Sequence, residues 1–411
     1  MTKKTVGPVK TGFLFGTSAF GLGMLYLPAV FNQIGYMGAF LTILMLFGLS
    51  WLSLYFLNIT DEAIDPEKNH EYSYYAAFIS SKTKKIVEIC FILSNFTVVY
   101  LFLRRASDLT VSLIKFWFVV AEPYYIRMAI LTFYAITCYL LFLKEDLSAL
   151  KFLSYLSLSS AIFYSLLMIV CGMYSEITLG EMKAFNNYKG VDAFSNLIFA
   201  AHCQFAFLAF KGNLTVKNRR NGLIMATIGL LVTYGIYTTV GIFGYKYLGK
   251  SVEDKYILEL VVDNLRNNVL IDKNKAMCSR SMSYCLALLT GMFVIIFYAG
   301  IPLTAFTFIP VIQKFTDDSN FKMSRIQSAS IVAILMYLVA IPIELNEGFL
   351  LGIISAICTN FLSFGFPGLY GMKFGSTALE KRAGCCLLII SCLIGIGKIG
   401  LLLYETIQNK Q

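Results

Sequence analysis

The chain has 411 residues, of which 57% are hydrophobic and 14% charged, with a net charge of +10 and a mean hydropathy of +0.70. Soluble domains carry about 25% charged residues, so this composition excludes an ordinary soluble domain and indicates an integral membrane protein. The basic residues lie in short loops between apolar runs, which argues against nucleic acid as a partner and fits the loop bias that orients membrane proteins.

Residues 11–60 contain no Asp, Glu, Lys or Arg. One crossing needs about 20 apolar residues, so this stretch crosses the bilayer twice. Apolar runs bounded by charge or turn residues give eleven expected spans, at about 13–34, 38–58, 86–103 (extendable to 118), 124–143, 152–174, 192–211, 222–245, 281–312, 326–343, 348–370 and 384–404. The fold class is therefore all-α and polytopic, with a tail at 1–12 and one transmembrane domain over 13–407. The sizeable polar stretches, 60–85 and 246–280, read as loops with room for short surface helices. No early apolar segment ends in a cleavage-type sequence, so no removable signal peptide is expected.

Lys and Arg concentrate on one side of this topology: Lys3, Lys4 and Lys10; Lys82, Lys84 and Lys85; Lys211, Lys217, Arg219 and Arg220; Lys314, Lys322 and Arg325. That asymmetry places the N-terminus in the cytoplasm, in either a plasma or a vacuolar membrane. Most of the ten cysteines fall inside apolar runs and read as small hydrophobes rather than as a disulfide framework.

The first span reads Thr17-Ser18-Ala19-Phe20-Gly21-Leu22-Gly23-Met24-Leu25-Tyr26-Leu27-Pro28. Glycines weaken a helix by entropy and proline by removing a donor, so a break at mid-depth is expected. Open backbone in a bilayer is tolerated where it lines a cavity. A half-helix N-terminus suits a carboxylate, and freed carbonyls suit an amine, so a zwitterionic amino acid matches both. The competing reading is that these small residues let helices pack closely.

The third span carries Asn95 and Tyr100, deep enough to line a cavity, and then Arg104 and Asp108 at i and i+4, the spacing of a helical ion pair. Arg104 is placed near the interface, where it snorkels, and Lys398 in the last span reads the same way. The sixth span holds Phe199-Ala200-Ala201-His202, one of only two histidines, near mid-membrane. An ionisable group there marks a functional site, and histidine is the side chain that titrates near neutral pH. A neutral imidazole bonded to a neighbouring helix is the alternative.

No phosphate-binding lysine loop, metalloprotease motif or nucleophile elbow occurs, so neither direct ATP drive nor an enzyme is expected. Two histidines give no basis for a multi-ligand metal site, and no cofactor is expected.

These features resemble the amino acid/auxin permease family, secondary transporters of the amino acid/polyamine/organocation class with a LeuT-like fold. The segment Gly21 to Pro28, with Gly35 following, looks like the family's G-x-G-[IM]-L-x-L-P signature. Phe199 to His202, followed by Lys217, Arg219 and Arg220, is similar to its sixth-span F-x-x-H and basic loop. Phe243-Gly244-Tyr245 and then Ile257-Leu258 look like its G-Y…I-L pattern, and Pro342, Gly352 and Pro367 sit where its ninth and tenth spans carry such residues.

The resemblance implies two inverted five-helix repeats, about 13–174 and about 192–370, and an extra helix at about 384–404. Substrate lies between discontinuous first and sixth spans. On this reading Gly21, Leu22 and Gly23 hold the α-carboxylate, with Thr17 and Ser18 near the amine or coupling ion. Phe199 and His202 shape the opposite wall, and Asn95 and Tyr100 contribute from the third span. Many sodium-coupled members have asparagine four residues before the first glycine, where this chain has Thr17. Tyr298-Ala299-Gly300-Ile301-Pro302 also lacks a hydroxyl just before Ile-Pro. Both departures favour a proton as coupling ion, or exchange, over sodium. The expectation is a monomeric amino acid transporter in lipid. A sensor that keeps the transporter fold and a channel stand as alternatives, the sensor disfavoured by the short predicted tails.

Overall fold

The computed structural model describes residues 7–21, 23–64, 72–118, 123–144, 147–173, 182–186, 190–200, 202–212, 214, 220–248, 276–317, 322–341 and 352–408. Helix α1 (Pro8–Gly16) has proline in its first turn, where a missing N–H costs nothing. A 3₁₀ turn, Thr17–Ala19, follows, the backbone becomes extended at Phe20, and α2 (Gly23–Ile34) departs at 71° to α1. Gly35, at φ +81°, then turns the chain into α3 (Tyr36–Ile64).

The short α4 (Tyr72–Ala77) leads to α5 (Ser81–Trp117), α6 (Pro123–Phe142) and α7 (Leu147–Met173). Helices α8 (Gly190–Ala200) and α9 (Gln204–Lys211) form a second interrupted pair. Then come α10 (Gly222–Leu248), α11 (Ala276–Asp317), α12 (Arg325–Ala340), α13 (Gly352–Phe374) and α14 (Ala378–Gln408). Among the described residues, eight helices are each long and apolar enough to cross a bilayer, and the bent α1/α2 pair makes a ninth. The α8/α9 pair and the 16-residue α12 stand where the sixth and ninth expected spans lie.

Close packing is built on glycine. A Cβ on Gly12 would lie 2.8 Å from the Met225 carbonyl oxygen, and one on Gly16 would lie 3.1 Å from that of Gly229. Helices α1 and α10 thus meet backbone to backbone, as small-xxx-small faces do in membranes. In the same way Gly241 receives the ring of Phe31 and Gly244 that of Pro28, holding α2 against α10. The other broad contact is of α11 with α5 and α7.

Four expectations are revised or extended. The polar 60–85 segment contains α4, one face of which is buried: the Tyr75 hydroxyl donates to Asp61 Oδ1 at 2.5 Å and the Tyr72 hydroxyl to the Leu362 carbonyl at 2.5 Å. The third span runs to Trp117, so Arg104 lies well inside α5, where it donates to the Tyr100 hydroxyl at 3.1 Å. Asp108 pairs with Arg127 of α6 at 2.7 Å, more closely than with Arg104 at 4.0 Å. Lys398 is buried and does not snorkel. For α4 and Asp108 a neighbouring helix supplies what one helix's spacing cannot show. The eight cysteines of the apolar runs are free thiols.

Candidate functional site

The two interrupted helix pairs face each other through one tyrosine. The Tyr237 hydroxyl of α10 lies 2.5 Å from the Ala19 carbonyl oxygen and 2.6 Å from that of Ala200. These carbonyls end α1 with its 3₁₀ turn and α8, where the intrahelical partner is lost. A single buried hydroxyl therefore joins both breaks. Glycine makes the approach possible on the other flank: a Cβ on Gly23 would lie 2.3 Å from Ala200 Cα. Gly23 is thus a packing position in this structure, whatever else its backbone does.

At the α8/α9 break the Gln204 side-chain carbonyl accepts from the Cys203 N–H at 3.1 Å. His202 is buried, its ring 5.0 Å from that of Phe205, and its Nδ1 lies 2.6 Å from Ser363 Oγ. Its Nε2 has no hydrogen-bond partner among the described residues.

Ser363 belongs to a part of α13 that coils in wider i→i+5 turns, Ser355–Thr359 and Phe361–Gly365. Such turns free carbonyls and recur at functional sites. Here Ser53 Oγ donates to the Ser363 carbonyl at 2.5 Å, and Thr359 Oγ1 lies 2.9 Å from Ser94 Oγ. Separate polar contacts on α13 therefore reach His202, α3 and α5.

A narrow cavity of about 10 Å³, room for about one water, opens beside the first break. Thr17, Ser18 and Phe20 line one side, Phe102 of α5 and Gly300 and Thr304 of α11 the second, and Phe205, Ala206 and Phe210 of α9 the third. No charged side chain lines it. The Thr17 and Ser18 hydroxyls donate to the Leu14 and Phe15 carbonyls at 2.6 and 2.7 Å, which leaves their lone pairs as acceptors. A larger groove of about 400 Å³ lies between α6 and α12. Its lining is almost wholly apolar and it borders neither helix break, so the smaller cavity is the candidate.

Of the residues proposed from sequence, Thr17 and Ser18 line this cavity and Gly21 abuts its Phe102 wall. Leu22 lies outside the described residues. Asn95 turns its amide to the Phe91 carbonyl of its own helix at 2.8 Å, and Tyr100 is buried against Arg104. Phe199 is half-buried on α8, and His202 points to α13; these four are not among the lining residues. Phe102, Phe205, Thr304, Ser363 and Tyr237 were not anticipated. The hydroxyls and Asn360 of α13, spaced through an apolar run, are a sequence signal from which Ser363 could have been found. Among the described residues no group of three or more His, Cys, Asp or Glu could hold a metal ion.

Comparison with known proteins places this geometry. The model of the family described as transmembrane amino acid transporter protein matches residues 4–408. No curated protein matches the chain in sequence. Among solved structures, MhsT in complex with L-phenylalanine is similar over 97% of this chain and 99% of its own, at 13% identity and a TM-score of 0.60. A mutant of the Eremococcus coleocola manganese transporter covers 96% of this chain and 86% of its own, at 13% identity and a TM-score of 0.69. The same transporter with an aromatic bis-isothiourea compound gives 0.65 at 13% identity, again over 96% and 86%. At such identities these likenesses show the fold, a LeuT-like bundle with discontinuous first and sixth spans.

Proposed function

The chain belongs to the transmembrane amino acid transporter protein family, and on that premise we propose that it carries amino acids across the membrane by alternating access. Family and fold are those of multi-pass membrane transporters and not of enzymes. The observation that carries the reading is the pair of interrupted helices, joined through Tyr237, with a narrow cavity beside the first break.

The start of α2 offers backbone N–H groups and the positive end of a helix dipole, so the Gly21–Gly23 stretch suits the α-carboxylate. The Thr17 and Ser18 lone pairs face the same cavity and suit the ammonium group. Zwitterion recognition then needs no charged side chain, in keeping with a lining that has none. His202 supplies a titratable group beside the second break, with its Nδ1 on Ser363, and is our candidate for the coupling proton. Thr17 in place of asparagine, and the absence of a hydroxyl just before Ile301-Pro302, support proton coupling or exchange over sodium. On the charge asymmetry of the loops the N-terminus is cytoplasmic.

Gly21→Val tests the site. A Cβ at Gly21 would lie 2.4 Å from the Phe102 ring, so the variant fills the break with hydrocarbon. It is expected to reach the membrane and to lose amino acid uptake; normal uptake by it removes the site from the first break.

A further inference from the structure

We propose that Phe102 is the size gauge of the substrate site, restricting the carrier to amino acids with small neutral side chains; this rests on the amino acid reading above. The ring of Phe102 is inserted between two glycines on different helices. A Cβ on Gly21 would lie 2.4 Å from its Cζ, and a Cβ on Gly300 would lie 2.4 Å from its Cε2. Any other residue at either position would expel the ring, so the two backbones leave room for it alone.

The ring is also held from behind. It stacks on Phe297 at 5.4 Å and 26°, and Phe297 packs on Phe293 at 5.6 Å, so the buried Phe297 and Phe293 of α11 back the ring. Close-packed interiors yield little to insertion, so this wall does not retreat for a bulky ligand. An amino acid whose carboxylate sits at Gly21–Gly23 has its Cα beside this ring, where the space in this conformation is about 10 Å³, so a bulky side chain meets the ring first. The other walls, Phe20, Phe205 and Phe210, are large as well. A charged side chain would be buried there without a partner, which disfavours acidic and basic amino acids.

The test compares wild-type protein, Phe102→Leu and Phe102→Ala in proteoliposomes, with labelled alanine as substrate and unlabelled alanine, leucine and phenylalanine as competitors. For wild type, leucine and phenylalanine are expected to compete at least about tenfold more weakly than alanine, the order of discrimination a methylene-sized misfit produces. Phe102→Ala is expected to erase or invert that ratio, with Phe102→Leu between. A purely structural role lowers uptake of every substrate together and leaves the ratio fixed. Ligand-induced rise in Tm of the purified proteins gives the same ranking for a variant that binds without transporting. An unchanged ratio across the three proteins, or a wild type indifferent to side-chain size, overturns the proposal. A wild type that neither binds nor moves any amino acid overturns the amino acid reading itself, and the size gauge with it.

Discussion

Lys211 Nζ lies 2.7 Å from Asp61 Oδ2, with both side chains buried. This ion pair ties the end of α9 to the end of α3, and the Tyr75 hydroxyl adds α4 to the same carboxylate. It sits at the Lys211 end of the segment that also lines the cavity through Phe205 and Phe210.

Removing one partner of a buried pair leaves a buried charge and typically costs about 3–5 kcal/mol. Lys211→Met and Asp61→Asn are therefore each expected to lower the Tm of the purified protein. The double variant should lose clearly less than the sum of the two, because neither charge is then stranded. Additive losses would contradict a coupled pair.

Tyr237→Phe keeps the ring and removes the one hydroxyl that serves both the Ala19 and Ala200 carbonyls. Leaving buried acceptors unsatisfied costs roughly 1–3 kcal/mol. The expected outcome is a lower Tm together with slower uptake, since both breaks lose a common anchor. A variant with wild-type Tm and uptake would show that the bridge is incidental.

His202→Gln retains a side chain able to bond Ser363 while abolishing titration. Exchange of amino acid across the membrane without a pH gradient should persist, and accumulation driven by an inward proton gradient should disappear. Proton-driven accumulation that survives in this variant would take the coupling role away from His202.

Arg127 donates to Asp108 at 2.7 Å and reaches the carbonyls of Ala340 and Ile341 at 3.3 and 3.2 Å, so one guanidinium gathers α5, α6 and the end of α12. A planar five-donor fork does this and an ammonium does not. Arg127→Lys should thus lower Tm nearly as much as Arg127→Ala, with uptake per folded molecule little changed. Full stability in the lysine variant would reduce the contact to simple charge pairing.

That the chain crosses the bilayer many times was legible because bilayer thickness imposes a length that apolar runs must meet, and among the described residues eight or nine of the eleven expected spans meet it. The break at Gly21–Gly23 was legible because glycine and proline weaken helices locally. Phe102 was not: a phenylalanine in a membrane span is ordinary, and only the meeting of Gly21 and Gly300 around its ring gives it meaning. Tyr237 was hidden for the same reason, since its two acceptors lie 218 and 37 residues away in sequence. Lys211 counts as a loop charge when topology is read from the chain, yet it is buried against Asp61. Long-range pairing decides these roles, and periodicity along one helix carries no record of it.

The most direct test of the central claim is counterflow of a labelled small neutral amino acid in proteoliposomes, run with a proton gradient, with a sodium gradient and with neither. The account predicts saturable uptake stimulated by unlabelled amino acid inside the vesicles, and either further stimulated by a proton gradient or independent of both ions. Flux that neither saturates nor responds to internal substrate, or uptake that requires sodium, would contradict it.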